Sequence, residues 1–115
     1  MLFISSINEN LADFLKILAD PTRLDILKLL KDGKERIVTT IHESLGKSQS
    51  SISQQLKRLE NANLLEVRKE SRKKYYKIKD PQIFQILNLL NSYMSNLNKD
   101  KIEELADLDI VDTLL

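Results

Sequence analysis

A chain of 115 residues that is 42% hydrophobic and 30% charged has the length of one domain and the make-up of a soluble globular protein, which sets aside disorder and collagen-like repetition. With no cysteine there are no disulfides, thiolate metal ligands or thiol redox switches, and no apolar run approaches the roughly 18 residues that a membrane span needs. The net charge is only +1, but residues 47–79 carry ten Lys and Arg against Glu60, Glu66 and Glu70, a local +7, and residues 80–115 carry a local −5; a basic centre beside an acidic tail points to a polyanionic partner for the centre.

In chain order, Ser6 reads as the cap of a first helix in which Ile7, Leu11, Phe14, Leu15 and Leu18 recur at helical spacing, ending near Ala19. Asp20-Pro21 is an N-cap followed by a first-turn proline, whose missing N–H costs nothing there. Leu24, Ile26, Leu27 and Leu30 supply the next apolar stripe, closed by Gly33. A short third helix is predicted over 38–45, with Ile41 and Leu45 four apart and Gly46 as its stop. Ser48 then caps a fourth helix, Gln49 to about Ala62, with Ile52, Leu56 and Leu59 at i, i+4 and i+7. Two helices joined by Gly46-Lys47-Ser48 have the spacing of a helix-turn-helix over about 38–62.

After Asn63 the period drops to two. Leu65, Val67 and Lys69 alternate with Glu66 and Arg68, and Tyr76 and Ile78 with Lys77 and Lys79, which predicts a two-stranded ribbon over about 64–79. Glu70-Ser71-Arg72-Lys73 forms its polar tip, without an Asn-Gly signal to fix the turn type. Strand alternation puts Tyr76 in the core and Tyr75 on the outer face. A basic β-ribbon directly after a helix-turn-helix is a wing.

Asp80-Pro81 repeats the cap and proline and opens a long helix, about 81–98, striped by Ile83, Ile86, Leu87, Leu90, Tyr93, Met94 and Leu97 and widened by Phe84 and Leu89. So broad an apolar face near the end of a small domain needs more cover than its own fold offers. It is read as a dimerisation helix packed with the first (7–19), the expected interface being Leu11, Phe14, Leu15, Ile83, Leu87, Leu90, Met94 and Leu97. Residues 99–115 form an acidic tail in which Ile102, Leu105 and Leu108 keep a rough helical register, read as a short acidic helix. The expected fold is mainly α, a single winged helix-turn-helix domain of five to six helices plus a two-stranded wing, dimeric through its first and long C-terminal helices.

The run LADPTRLDILKLL at 18–30, followed by SQSSISQQLKRLENANLLEVRKESRKKYYKI at 48–78, resembles the ArsR-type winged-helix repressors over roughly residues 10–98. The specific parts are the Asp20-Pro21-Thr22-Arg23 turn entering a Leu/Ile-rich helix and the Ser-Gln-Ser-x-Ile-Ser start of the recognition helix. The resemblance implies a homodimer that binds an inverted repeat, represses transcription, and in many members releases DNA when a metal or other effector binds. Where arsenic- and cadmium-responsive members carry a Cys-x-Cys pair this chain has Ile37 and Thr39, and its long helix from 81 to 98 has no His and no carboxylate for the zinc site of other members. Zinc wants about four ligands, and the single histidine, His42, has only Glu43 beside it. No metal and no cofactor are expected.

On DNA, with Ile52, Leu56 and Leu59 buried, about 100° per residue turns Ser50, Ser53, Gln54 and Lys57 outward as readers, with Gln49 near the point of entry into the major groove. A Gln amide pairs with an adenine edge, so the helix leans towards A·T-containing half-sites. Lys57, Arg58 and the N–H groups near Ser48 and Gln49 suit phosphates, and Arg68, Lys69, Arg72, Lys73 and Lys74 on the wing suit the adjacent backbone or minor groove. Arg23 either bonds a carboxylate locally or touches a phosphate, and it stays outside this list.

The leading reading is a sequence-specific regulator that binds double-stranded DNA as a homodimer, with a cytoplasmic address and no membrane partner. The alternative, a winged helix serving as a protein-interaction module in a larger complex, leaves the +7 segment without a purpose. An enzyme is disfavoured: one His, no Cys, no Gly-rich phosphate loop, and no spacing that assembles nucleophile, base and orienter. Effector, operator and the tail's role are left open.

Overall fold

The computed structural model describes residues 2–114, with side chains over 6–101 and at 103 and 104. The elements are α1 (Leu2–Leu18), α2 (Pro21–Leu29), α3 (Val38–Leu45), α4 (Gln49–Asn61), β1 (Leu65–Glu70), β2 (Lys73–Ile78) and α5 (Gln82–Leu114). They fall into two units, Met1–Pro81 and Gln82–Leu115, the second being α5 alone.

Local chemistry sets the boundaries of the first unit. Asp20, in extended backbone, accepts the Arg23 N–H on Oδ2 at 3.0 Å, and Pro21 starts α2 where no N–H is needed. α3 stops in a Schellman motif: Gly46 is left-handed (φ +64), its N–H bonds the Glu43 carbonyl, and the Lys47 N–H reaches back to the His42 carbonyl. Ser48 restarts the chain as α4, its Oγ accepting the Ser51 N–H at 3.2 Å. α4 closes by the same device with Asn63 at φ +61, the Asn63 N–H on Glu60 and the Leu64 N–H on Leu59; a short polar side chain tolerates that conformation better than most.

Ile26, Leu27, Leu30, Ile41, Ile52, Leu56 and Leu59 are wholly buried. They come from α2 and its C-cap, α3 and α4, so the helix-turn-helix and the helix before it share one core. Each such side chain contributes about 1.5–3 kcal/mol by leaving water. Leu18, Leu65, Tyr76 and Ile78 extend this core towards α1 and the sheet. β1 and β2 pair antiparallel with Leu65 opposite Ile78 and Val67 opposite Tyr76, a two-residue loop of Ser71 and Arg72 joining them. Ser71 has φ +57 and Arg72 is not left-handed, the sign pattern of a type II′ hairpin turn.

Three sequence expectations are corrected. Ser6 lies inside α1, which begins at Leu2: Ile4 and Ile7 continue the apolar period, and no Gly or Pro stands between to break it. The second helix ends at Leu29 with Leu30 as its C-cap, and Gly33 (φ +77) belongs to the turn after it. The tail at 99–115 is no separate helix; α5 runs unbroken from Gln82 to Leu114, since nothing after Pro81 forbids helical backbone.

Candidate nucleic-acid interface

α4 presents the face that its spacing predicts. With Ile52, Leu56 and Leu59 fully buried, Gln49, Ser50, Ser53, Gln54 and Lys57 are exposed. Ser48 stands at the head of this row, its oxygen already committed to the cap. The turn before it is tightened by His42, whose Nδ1–H donates to the Lys47 carbonyl at 3.2 Å; a carbonyl can only accept, so Nδ1 carries the proton.

The wing sorts its side chains by strand parity. Cross-strand partners share a face, so Lys69 and Lys74 continue the Val67–Tyr76 side, while Glu66–Lys77, Arg68–Tyr75 and Glu70–Lys73 occupy the other. Between α4, the start of α3 and the wing lies a cleft of 440 Å³ lined by Ile37, Val38, Thr39, Ser53, Lys57, Arg72, Lys73, Lys74 and Tyr76. Four of these nine residues are cations and none is a carboxylate. Among the described residues none of the four forms an ion pair, so the cleft is a concentrated positive potential beside the exposed face of α4.

Two of the predicted phosphate contacts lie elsewhere. Arg58 lines a separate depression with Asp13, Phe14, Ile17, Asn61 and Ala62, between α1 and the end of α4. Arg68 is engaged on the wing's outer face. Its Nε and Nη2 donate to Glu35 at 3.0 and 2.8 Å, its Nη1 donates to Glu70, and the guanidinium lies 4.4 Å over the Tyr75 ring. These hydrogen bonds, Glu35 first, hold the Arg68 guanidinium above its ordinary pKa, and the same bond from Arg68 holds the Glu35 carboxyl below its own.

The Arg23 side chain does neither thing the sequence offers it. It is buried, with Nε on the Ile17 carbonyl at 2.6 Å, Nη2 on the Lys16 carbonyl at 3.2 Å and Nη1 on Gln55 Oε1 at 2.7 Å. It thus satisfies the carbonyls left over at the end of α1 and ties them to α4. Sequence reasoning also missed Arg36, which exchanges both backbone bonds with Tyr76 at 2.9 Å and so adds a third, one-residue rung to the wing. Its side chain is fixed by Asp32 through two bonds of 2.8 and 2.6 Å, which hold the Asp32 carboxyl below the usual carboxylate range.

The family model for bacterial regulatory proteins of the arsR family matches residues 20–67, the segment from the Asp20 cap to the first half of β1. An HTH-type transcriptional regulator of Methanocaldococcus jannaschii is 37% identical over 83 residues, covering 72% of this chain and 93% of that one. The chain belongs to the ArsR family. A second relative, the arsenical resistance operon repressor of Staphylococcus aureus, is 34% identical over 87 residues, covering 73% and 83% of the two chains. Among solved structures, the homodimeric winged helix-turn-helix DNA-binding domain of a Mycobacterium bovis protein described as a possible ArsR-family transcriptional regulator superposes with a TM-score of 0.69 at 28% identity, over 79% of this chain and 83% of that one. The fold is accordingly that of a winged helix-turn-helix regulator, mainly helical with one two-stranded antiparallel hairpin, β1 and β2.

Of the residues predicted for an ArsR dimer interface, Leu11, Leu15, Leu90, Met94 and Leu97 are exposed, joined by Ile7, Ile86, Leu89 and Tyr93. Phe14 and Leu87 are half-buried and Ile83 is buried, so these three are not among the exposed residues. No helix among the described residues is long and apolar enough to cross a membrane.

Proposed function

We propose that this chain is a transcriptional repressor that binds an inverted repeat in double-stranded DNA as a homodimer, in the cytoplasm, and works by binding rather than catalysis. The carboxylate-free cleft of Lys57, Arg72, Lys73 and Lys74 beside the exposed row Gln49, Ser50, Ser53 and Gln54 carries this reading. Cations on both walls, Lys57 on one and Arg72, Lys73 and Lys74 on the other, suit a sugar-phosphate strand, and the row suits base edges in the adjoining major groove. Dimerisation would use the exposed stripes of α1 (Ile7, Leu11, Leu15) and α5 (Leu90, Met94, Leu97), which are large for a monomer's surface. A two-fold axis then sets the half-sites about 34 Å apart. Repression rests on what such relatives are named for, and the wing and recognition helix on the chemistry above.

The test is fluorescence anisotropy on duplex DNA across a salt series, with sedimentation alongside. Four cleft cations from each of two protomers give at most about eight neutralised phosphates, so log affinity is expected to fall with log salt at a slope reaching about −7. A monomer that ignores DNA at low salt would overturn the reading and favour the protein-interaction module.

A further inference from the structure

We propose that Arg68 serves DNA binding as a positioning residue, by clasping the wing to the segment between α2 and α3, and not as a phosphate contact. This rests on the DNA-binding reading above. A two-stranded ribbon is barely stable by itself, so the direction in which its tip points is set by whatever holds it. Here two ties converge from the same short segment: the Arg36 backbone bridges Tyr76 on β2, and the Glu35 carboxylate receives the Arg68 fork from β1. Asp32 locks the side chain of Arg36 at the start of that segment. One ribbon edge is thus held through the main chain and one face through a side chain, which fixes tilt as well as distance.

The geometry removes Arg68 from the cleft. All three of its guanidinium nitrogens are engaged by carboxylates, one face of the plane is covered by Tyr75, and the residue lies on the opposite side of the sheet from Lys74. A phosphate held between Lys57 and Lys74 therefore does not meet it. What it controls is the spacing of those two lysines, because the wing brings Arg72, Lys73 and Lys74 to the wall opposite Lys57. The chemistry needs arginine: a planar fork matches a carboxylate and stacks on a ring, whereas lysine is a point charge that serves a phosphate nearly as well.

The test uses the full chain on a random-sequence duplex over a salt series, with hydrogen exchange of the wing amides measured in parallel. The variants are Arg68→Gln, Arg68→Lys and Glu35→Gln, with Lys74→Ala as reference. Arg68→Gln and Arg68→Lys are expected to lower affinity alike, by about threefold, the range of an exposed ion-pair network. The salt slope should stay that of the wild type and wing exchange should quicken. Glu35→Gln should follow them, although it removes a negative charge. Lys74→Ala should instead flatten the slope by about 0.9 per protomer bound at unchanged wing exchange. The proposal is overturned if Arg68→Gln flattens the slope while Arg68→Lys restores it, if Glu35→Gln tightens binding, or if exchange in the wing does not move. A wild-type chain that ignores DNA overturns the DNA reading and the clasp's role in it, and the exchange data then decide separately whether the clasp holds the wing.

Discussion

Replacing Arg23 by methionine tests how much of the fold hangs on one buried guanidinium. Methionine is shorter but close to it in volume and packs well in an irregular space, so the change removes donors and leaves volume nearly intact. The Ile17 carbonyl and Gln55 Oε1 lose bonds of 2.6 and 2.7 Å at half-buried positions, and the Lys16 carbonyl loses a longer one of 3.2 Å on an exposed residue that water can serve instead. A hydrogen bond from a charged donor is worth about 1.5–3 kcal/mol. The two short bonds set the scale, and the relief of no longer burying a charge offsets part of it, leaving a loss of about 3 kcal/mol. Since 1 kcal/mol moves the melting point of a domain this small by about 4–8 °C, Tm should fall by more than about 10 °C. Urea unfolding followed by circular dichroism, at fixed protomer concentration because a dimer would add to stability, measures it. Arg23→Lys, able to serve one acceptor, should fall between. A loss in Arg23→Met below about 1 kcal/mol would mean that the carbonyls at the end of α1 are hydrated in any case, and that the tie to α4 is incidental.

Gly46→Ala should cost about 1 kcal/mol in the same assay: a Cβ there meets nothing within 4 Å, so the whole penalty is the left-handed backbone at φ +64. Lowering the pH should weaken the wing's attachment. Glu35 and Asp32 have folded pKa values below their ordinary 4.5 and 3.8, so their contribution is complete above those values and is lost as pH falls through the folded ones; the effect is small because both are open to solvent, and faster wing hydrogen exchange below about pH 4 would register it. Burial, with the charge of Glu60, raises the Tyr76 phenol above 10.0, so its contribution is complete below pH 10 and is lost as pH rises through the folded value; Tm should drop there in wild type and less in Tyr76→Phe. Leu90→Glu with Met94→Glu, both on the exposed face of α5, should shift the dimer to monomer in sedimentation and weaken DNA binding without lowering the helix content of the protomer.

Much of this fold is legible because it is written in local chemistry. The bounds of α3 and α4 follow from Gly46 and Ser48, whose roles as left-handed stop and side-chain cap involve atoms no more than a few residues away. The core of α4 follows from one spacing rule applied to Ile52, Leu56 and Leu59. What escaped depends on partners distant in sequence: Arg23 meets Gln55 across 32 positions, and Arg68 meets Glu35 across 33. The start of α1 and the end of α5 escaped for a different reason. A plausible cap such as Ser6 is also tolerable inside a helix, and a change from apolar to acidic residues near 99 alters what a helix faces without stopping it.

The +7 centre shows why counting charge over a window is a blunt guide to a binding site. The net figure treats every cation as equal, but in a ribbon the partner across the strands and the neighbour two residues away decide which charges are available. Glu66, Arg68 and Glu70 share one face because they are two apart, and Lys77 pairs with Glu66 there at 3.4 Å. Lys69 and Lys74, directly opposite each other on the other face, have no carboxylate in their row. Like charges in that register repel, so the ribbon pays for them in stability unless an anion lies between or beside them. Strand parity over residues 65–78 separates Arg68 from Lys74. It does not reveal Glu35, which turns an arginine already on the wrong face into the residue that aims the right one.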